Sequence, residues 1–168
     1  MRDAIGLVPH TGWTWLVRVR GGEVIARIEL RAVPTLDAEL YHLARDHAGG
    51  RAAFLAQRRA AALATTIAAL RPTIAGAAHA IVLGKQPVLP AFDAIVGSHA
   101  MIHTAEGELW RALFAEACAA CGVPATRALA VTANASETRW LAAAGKTLGA
   151  PWTQEVRAAA LAARRGRP

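Results

Sequence analysis

Acidic side chains are scarce in this sequence: 12 aspartates and glutamates face 19 lysines and arginines over 168 residues, a formal charge of +7 with a pI near 10.9. Cysteine is scarcer still. Its two copies, Cys118 and Cys121, exclude a disulfide framework. Their C-x-x-C falls late in a predicted helix, away from the strand-to-helix junction that redox pairs favour, and so reads as two reduced small hydrophobes one turn apart. Long apolar runs are missing as well. The longest, Ala60 to Leu70, is about half a membrane span and is broken by Thr65 and Thr66, which argues against a transmembrane helix and a membrane partner. The N-terminus enters an apolar strand directly, without the h-region and cleavage site of an export signal, so a cytoplasmic location is expected. Repeats and low-complexity linkers are also lacking, which leaves one domain over 1–163 and a basic tail, 164–168, expected to be disordered.

What is present is a 54% hydrophobic chain rich in alanine. Its positive charge favours acidic partners, nucleic acid first. Arg164, Arg165 and Arg167 supply three of the seven net charges, so the body carries +4. Five tryptophans against one tyrosine and three phenylalanines read as bulk for an alanine-built core more than as a base-stacking platform. Arg51, Arg58, Arg59 and Arg71 read as a solvated helix face.

Along the chain, Ile5 to Val8 forms a short buried strand. Trp13 to Val19 alternates Trp13, Trp15, Val17 and Val19 against a wetter parity, and Gly21-Gly22 turns it into a third strand, Glu23 to Leu30. Ala32 to Gly49 is irregular, with a short helix through Leu36, Leu40 and Leu43, and its Tyr41 and His42 are placed to form a lid. A helix follows from Arg51 to Leu70, closed by Pro72. Ala77 to Leu83 is a strand leaving through Gly84-Lys85-Gln86. A helical stretch from Pro90 to Cys121 breaks near Gly97 or Thr104. A strand around Arg127 to Val131, a helix Glu137 to Leu148 capped by Asn134, and a last helix Trp152 to Arg164 complete the order. Strand, strand, strand, helix, strand, helix, strand, helix describes an α/β mixed sheet in which a hairpin set joins parallel strands through right-handed crossovers.

One stretch concentrates unusual chemistry. In Ser98 to Arg111, helical periodicity puts Ile95, Ile102, Leu109 and Leu113 on one apolar stripe and His99, His103, Glu106 and Trp110 on its shoulder. Polar groups beside a buried face need partners, because an unmatched one costs about 1–3 kcal/mol.

Three segments resemble the Holliday-junction resolvases of the ribonuclease H-like superfamily over nearly the whole chain. Ile5-Gly6-Leu7-Val8-Pro9-His10-Thr11-Gly12-Trp13 is similar to their G-I-D-P-G…T-G-Y opening. Thr104-Ala105-Glu106-Gly107 is similar to their G-x-A-R-G turn, and Glu155 to Ala162 to their D-x-x-D-A-L-A ending. The resemblance implies a ribonuclease H-like fold and chemistry in which carboxylates hold two divalent cations about 3.5–4 Å apart. The residues depart from it. Val8 stands for the first aspartate, Gly84-Lys85-Gln86 holds no acid, and Glu155 is alone among Gln154, Val156 and Arg157. One carboxylate does not hold two hard cations.

Ligands of such sheets gather outside the carboxyl ends of the parallel strands. His10 and Thr11 stand where the resemblance puts the first acid, Lys85 and Gln86 near the second, and Glu155 at the last helix. If the His99/His103/Glu106 shoulder turns toward this cleft, all these groups share a histidine-centred pocket. His99 and His103, at i and i+4, match a helical metal pair that Glu106 or His10 would complete around one divalent ion, although the Glu of H-E-x-x-H is missing. An anion held by His10 and Lys85, or histidines that merely stitch helix to sheet, are the other readings of the cluster. Three functions follow: a divergent ribonuclease H-like, nucleic-acid-associated protein without two-metal nuclease activity; a hydrolase or nuclease with His10, His99, His103 and Glu106 as catalytic residues, with or without one metal; or a scaffold burying a helix face in a symmetric dimer.

Overall fold

The computed structural model describes residues 3–166, with the backbone alone at 35 and 36. Its elements are β1 (Asp3–His10), β2 (Trp13–Arg20), β3 (Glu23–Arg31), α1 (Thr35–Ala38), α2 (Leu40–Asp46), α3 (Arg51–Ile74), β4 (Ala77–Leu83), α4 (Phe92–Val96), α5 (His99–Ala120), β5 (Ala125–Ala128), α6 (Ala135–Leu148) and α7 (Gln154–Arg165). The five strands form one sheet in the order β3-β2-β1-β4-β5. The first three pair antiparallel, while β4 runs parallel to β1 and β5 parallel to β4. This is the expected mixed sheet, and it places the carboxyl ends of β1, β4 and β5 side by side.

Strand parity decides what each helix meets. Ile5, Leu7, Leu16, Leu30, Ala80 and Val82 point to one face and pack with Leu70 and Ile74 of α3 and Leu109, Trp110, Leu113 and Phe114 of α5. Ala4, Trp15, Val17 and Val19 point to the other and pack with Val156, Ala159, Ala160 and Ala163 of α7 and Leu141 of α6. The parity of β2 expected to be wetter is dry at its centre, where Leu16 is fully buried. A sheet covered on both faces leaves its wet positions to the strand ends.

Several boundaries differ from the sequence reading. The helix expected to close at Pro72 continues to Ile74. Proline in a final turn forfeits one helical hydrogen bond, and this end is held from outside: Arg18 donates to the carbonyls of Thr73 at 2.9 Å and Ala75 at 2.7 Å while pairing with buried Asp3. The break before α5 falls at Gly97-Ser98, with Ser98 capping through Met101 N–H, and the helix runs straight through Thr104. The last parallel strand begins two residues early, at Ala125. Arg164 and Arg165 belong to α7, not to a disordered tail. Arg165 pairs with the capping-box residue Glu137 at 2.7 Å, and the Arg164 guanidinium lies 4.4 Å from the Trp140 ring centre. Arg167 and Pro168 lie outside the described residues. Among the described residues no helix is long and apolar enough to cross a membrane.

The cysteines are both free, and burial pushes the Cys118 thiol up to about 12, which suits an inert core residue. Trp110 and Trp15 are buried, as expected of core tryptophans. Arg58 and Arg59 form exposed ion pairs with Asp37 and Glu116.

Candidate functional site

Two polar sites emerge, on opposite faces of the sheet. The first lies at the mouth formed by the carboxyl ends of β1 and β4. A shallow depression of about 210 Å³ is lined by Val8, Leu83, Gly84, Ala130, Gln154, Glu155 and Ala158. Even-numbered positions of β1 face α7, so Val8 and His10 look toward that helix. The His10 ring stacks on Trp13, with centroids 4.0 Å apart and planes 7° from parallel, and its Nε2 lies 3.4 Å from Glu155 Oε2. Glu155 is the one carboxylate among the lining residues. A wider groove of about 580 Å³ continues past Ala130, Gln154 and Ala158 to Thr132, Thr138 and Arg157.

Beside the mouth, Arg111 of α5 occupies space that a side chain at Gly84 would need. A Cβ there would lie 3.1 Å from Arg111 Nε, and Gly84 has φ of 142°, open mainly to glycine. Arg111 lies 3.5 Å from Glu108, which also binds Arg127 at 2.5 Å. The half-buried guanidiniums of Arg111 and Arg127 thus share one carboxylate. This network went unread in the sequence; its signal was the i, i+3 pair Glu108/Arg111.

The second site sits between α2 and the first turns of α5. Ser98 starts α5 so that His99 and His103 lie one turn apart and meet edge to face, their Nε2 atoms 3.0 Å from each other. His42, from α2, closes the group: its ring centre is 5.5 Å from that of His99 and 5.0 Å from that of His103. One ring nitrogen of each of the three lies within 4.8 Å of the others. Behind His42, Glu106 is buried, with Oε1 accepting from the N–H of Tyr41 at 2.5 Å and of His42 at 3.4 Å. The same oxygen is 3.9 Å from His42 Nδ1. Burial pushes the Glu106 carboxyl up to about 7, against the pull of those backbone donors, and burial likewise lowers the pKa of His42. Glu106 Oε2 and His42 Nδ1 are both buried without a hydrogen-bond partner.

The structure therefore brings together His10 with Glu155, and His99 with His103 and, through His42, Glu106. It does not unite these groups. A pocket shared by His10, His99, His103 and Glu106 is corrected by parity: β1 turns His10 toward α7, whereas α5 packs on the face of Ile5 and Leu7. Thr11 sits in the β1–β2 turn, and Lys85 and Gln86 follow Gly84 into solvent; none of the three lines the depression. The sequence reading gave His42 to a lid. Its place as the third imidazole depends on how α2 docks on α5, which no local spacing reveals.

A mixed five-stranded sheet in this order, with one helix crossing β1 and another behind it, defines the ribonuclease H-like fold class. No family model matches the chain, and no curated protein sequence matches it. Among solved structures it is similar to RuvC of Thermus thermophilus in complex with Holliday junction substrate, at TM-score 0.55 and 12% identity, covering 98% of this chain and 91% of that one. It is also similar to a second Thermus thermophilus RuvC structure, at TM-score 0.51 and 12% identity, covering 96% of this chain and 91% of that one. The likeness in fold to RuvC thus extends over nearly all of the described residues.

Proposed function

We infer that this chain is a divergent ribonuclease H-like protein that associates with nucleic acid and does not perform two-metal phosphodiester cleavage. The composition of the sheet mouth carries this reading. Two hard cations need several oxygen ligands, and the lining residues offer one carboxylate, already facing His10, among Val8, Leu83, Gly84, Ala130 and Ala158. That donor set does not fit a metal pair. His10 and Glu155 form a half-buried polar pair beside an apolar floor, suited to seating a nucleotide's sugar and base edge more than to polarising its phosphate. Arg157 on the adjoining groove and Lys85 at the β4 exit are cations placed to meet phosphates.

The test uses a synthetic four-way DNA junction and the matching linear duplex, with Mg²⁺ present. The expected result is a gel shift that weakens about 10-fold or more between 50 and 200 mM salt, as release of counterions from a few phosphate contacts requires, with both DNAs left intact. Incision of either DNA that depends on Mg²⁺ contradicts the loss of catalysis. Absence of any shift at low salt contradicts nucleic-acid association.

A further inference from the structure

We propose that His42, His99 and His103 form a binding site for a single divalent transition-metal ion of the zinc class, with Glu106 as the buried carboxylate that orients His42. This site is independent of the reading given to the sheet mouth, which lies on the other face of the sheet.

Three observations converge on it. First, the ring nitrogens of three imidazoles from two helices lie within 4.8 Å of one another, a spacing that one ion at about 2.0–2.1 Å from each nitrogen closes with small side-chain shifts. Second, His99 and His103 approach through Nε2 at 3.0 Å, so one ring must present a lone pair. The two exposed rings thus aim their Nε2 atoms at each other, as two ligands of one ion would. Third, metal-bound histidines characteristically direct their other nitrogen to a carboxylate or carbonyl, which fixes tautomer and ring angle. His42 Nδ1 lies 3.9 Å from Glu106 Oε1, beyond hydrogen-bond distance and without another partner, and closing that gap would leave Nε2 for the ion. Glu106 is 3% exposed, with Oε2 lacking any partner. A carboxylate held that deeply by two backbone N–H groups pairs with no lysine or arginine among the described residues; as the outer partner of a metal-bound imidazole it has a purpose.

The donor chemistry selects the ion. An all-imidazole set suits zinc, copper, nickel and cobalt and is poor for magnesium or calcium, which take oxygen. Three protein ligands leave a fourth position, and exposure of His99 and His103 puts it at the surface, open to water or an exogenous ligand. Because the ligands come from α2 and α5, the ion also ties the segment after β3 to the central helix.

Tag-free, chelator-stripped full chain titrated with Zn²⁺ alone, by competition against a chromophoric chelator, is expected to bind one equivalent. Co²⁺ alone is expected to give the strong visible absorption of a four-coordinate site. His103→Ala, at an exposed position, and His42→Ala are each expected to weaken Zn²⁺ binding by about 100-fold or more, with His47→Ala unchanged. Glu106→Gln keeps an acceptor for the Tyr41 N–H and is expected to weaken Zn²⁺ by about 10- to 100-fold and to shift the Co²⁺ spectrum. Absence of a saturable site in the unmodified chain overturns the proposal. So does full affinity in folded His103→Ala or His42→Ala, which would assign the ion elsewhere. Unchanged affinity and spectrum in Glu106→Gln overturn the role given to that carboxylate.

Discussion

Gly6→Ala is expected to leave little or no stable native protein. The backbone of α7 rests directly on β1 at this point: a Cβ at Gly6 would fall 2.6 Å from the carbonyl carbon of Ala159 and closer still to its oxygen. A side-chain clash can be relieved by a rotamer change, but here the obstacle is helix backbone. The helix must lift off the strand, and Ala4, Val17, Val156, Ala160 and Ala163 lose their packing together. Overpacking of a dense interior commonly costs 1–3 kcal/mol, and a backbone obstacle puts this substitution at about 4 kcal/mol or more, close to the whole stability of many domains. Gly49→Ala is the matched control, since a Cβ at Gly49 meets nothing within 4 Å. Urea denaturation of the two variants is expected to show a collapsed or absent transition for the first and an essentially unshifted midpoint for the second. The same close approach sets Glu155 and Ala158 over Val8, so the glycine that supports the fold also shapes the mouth.

Trp110→Ala is expected to cost about 3–5 kcal/mol by cavity formation. Trp110 is fully buried, packs against Phe114, and donates from its indole N–H to the carbonyl of Ala38 at 2.9 Å. Loss of that donor leaves a buried carbonyl unpaired at the junction between α1 and α2. Trp110→Phe separates the two effects. It retains most of the ring volume and is expected to cost about 1–3 kcal/mol, the penalty for an unsatisfied buried acceptor and a smaller void. Chemical denaturation monitored by circular dichroism measures both. Because only Glu39 separates Ala38 from the helix that carries His42, amide exchange in α2 is expected to rise in both variants before exchange in the sheet does. Protection in α2 that stays at the wild-type level would show that Trp110 does not anchor this segment.

The order of strands and helices was legible because the local signals agree: alternation in β2 and β3, the Gly21-Gly22 turn, and helical spacing in α3 and α5. Gly6 was legible as part of a familiar opening, but its reason, contact with Ala159, is tertiary. The parity of β1 already separated Ile5 and Leu7 from Val8 and His10. Taken with the apolar stripe of α5, it argues that His10 and His99 lie on different faces, and the sequence reading did not use it. His99 and His103 announced themselves by their i, i+4 spacing. His42 did not, since it sits in an irregular segment whose only guide was the spacing of Leu36, Leu40 and Leu43. Pro72 misled for a different reason: the signal for ending a helix is local, whereas Arg18 stabilises the final turn from another strand. The Arg111–Glu108–Arg127 network escaped because Arg127 comes from β5, at a distance that spacing rules do not reach.

The proposal that the sheet mouth holds no pair of cations is tested most directly by calorimetric titration of the tag-free chain with Mg²⁺, an ion for which an all-imidazole cluster is a poor ligand set. No saturable heat is expected in the millimolar range, and no difference between the unmodified chain and Glu155→Gln. Saturable binding of Mg²⁺ that Glu155→Gln abolishes would contradict it.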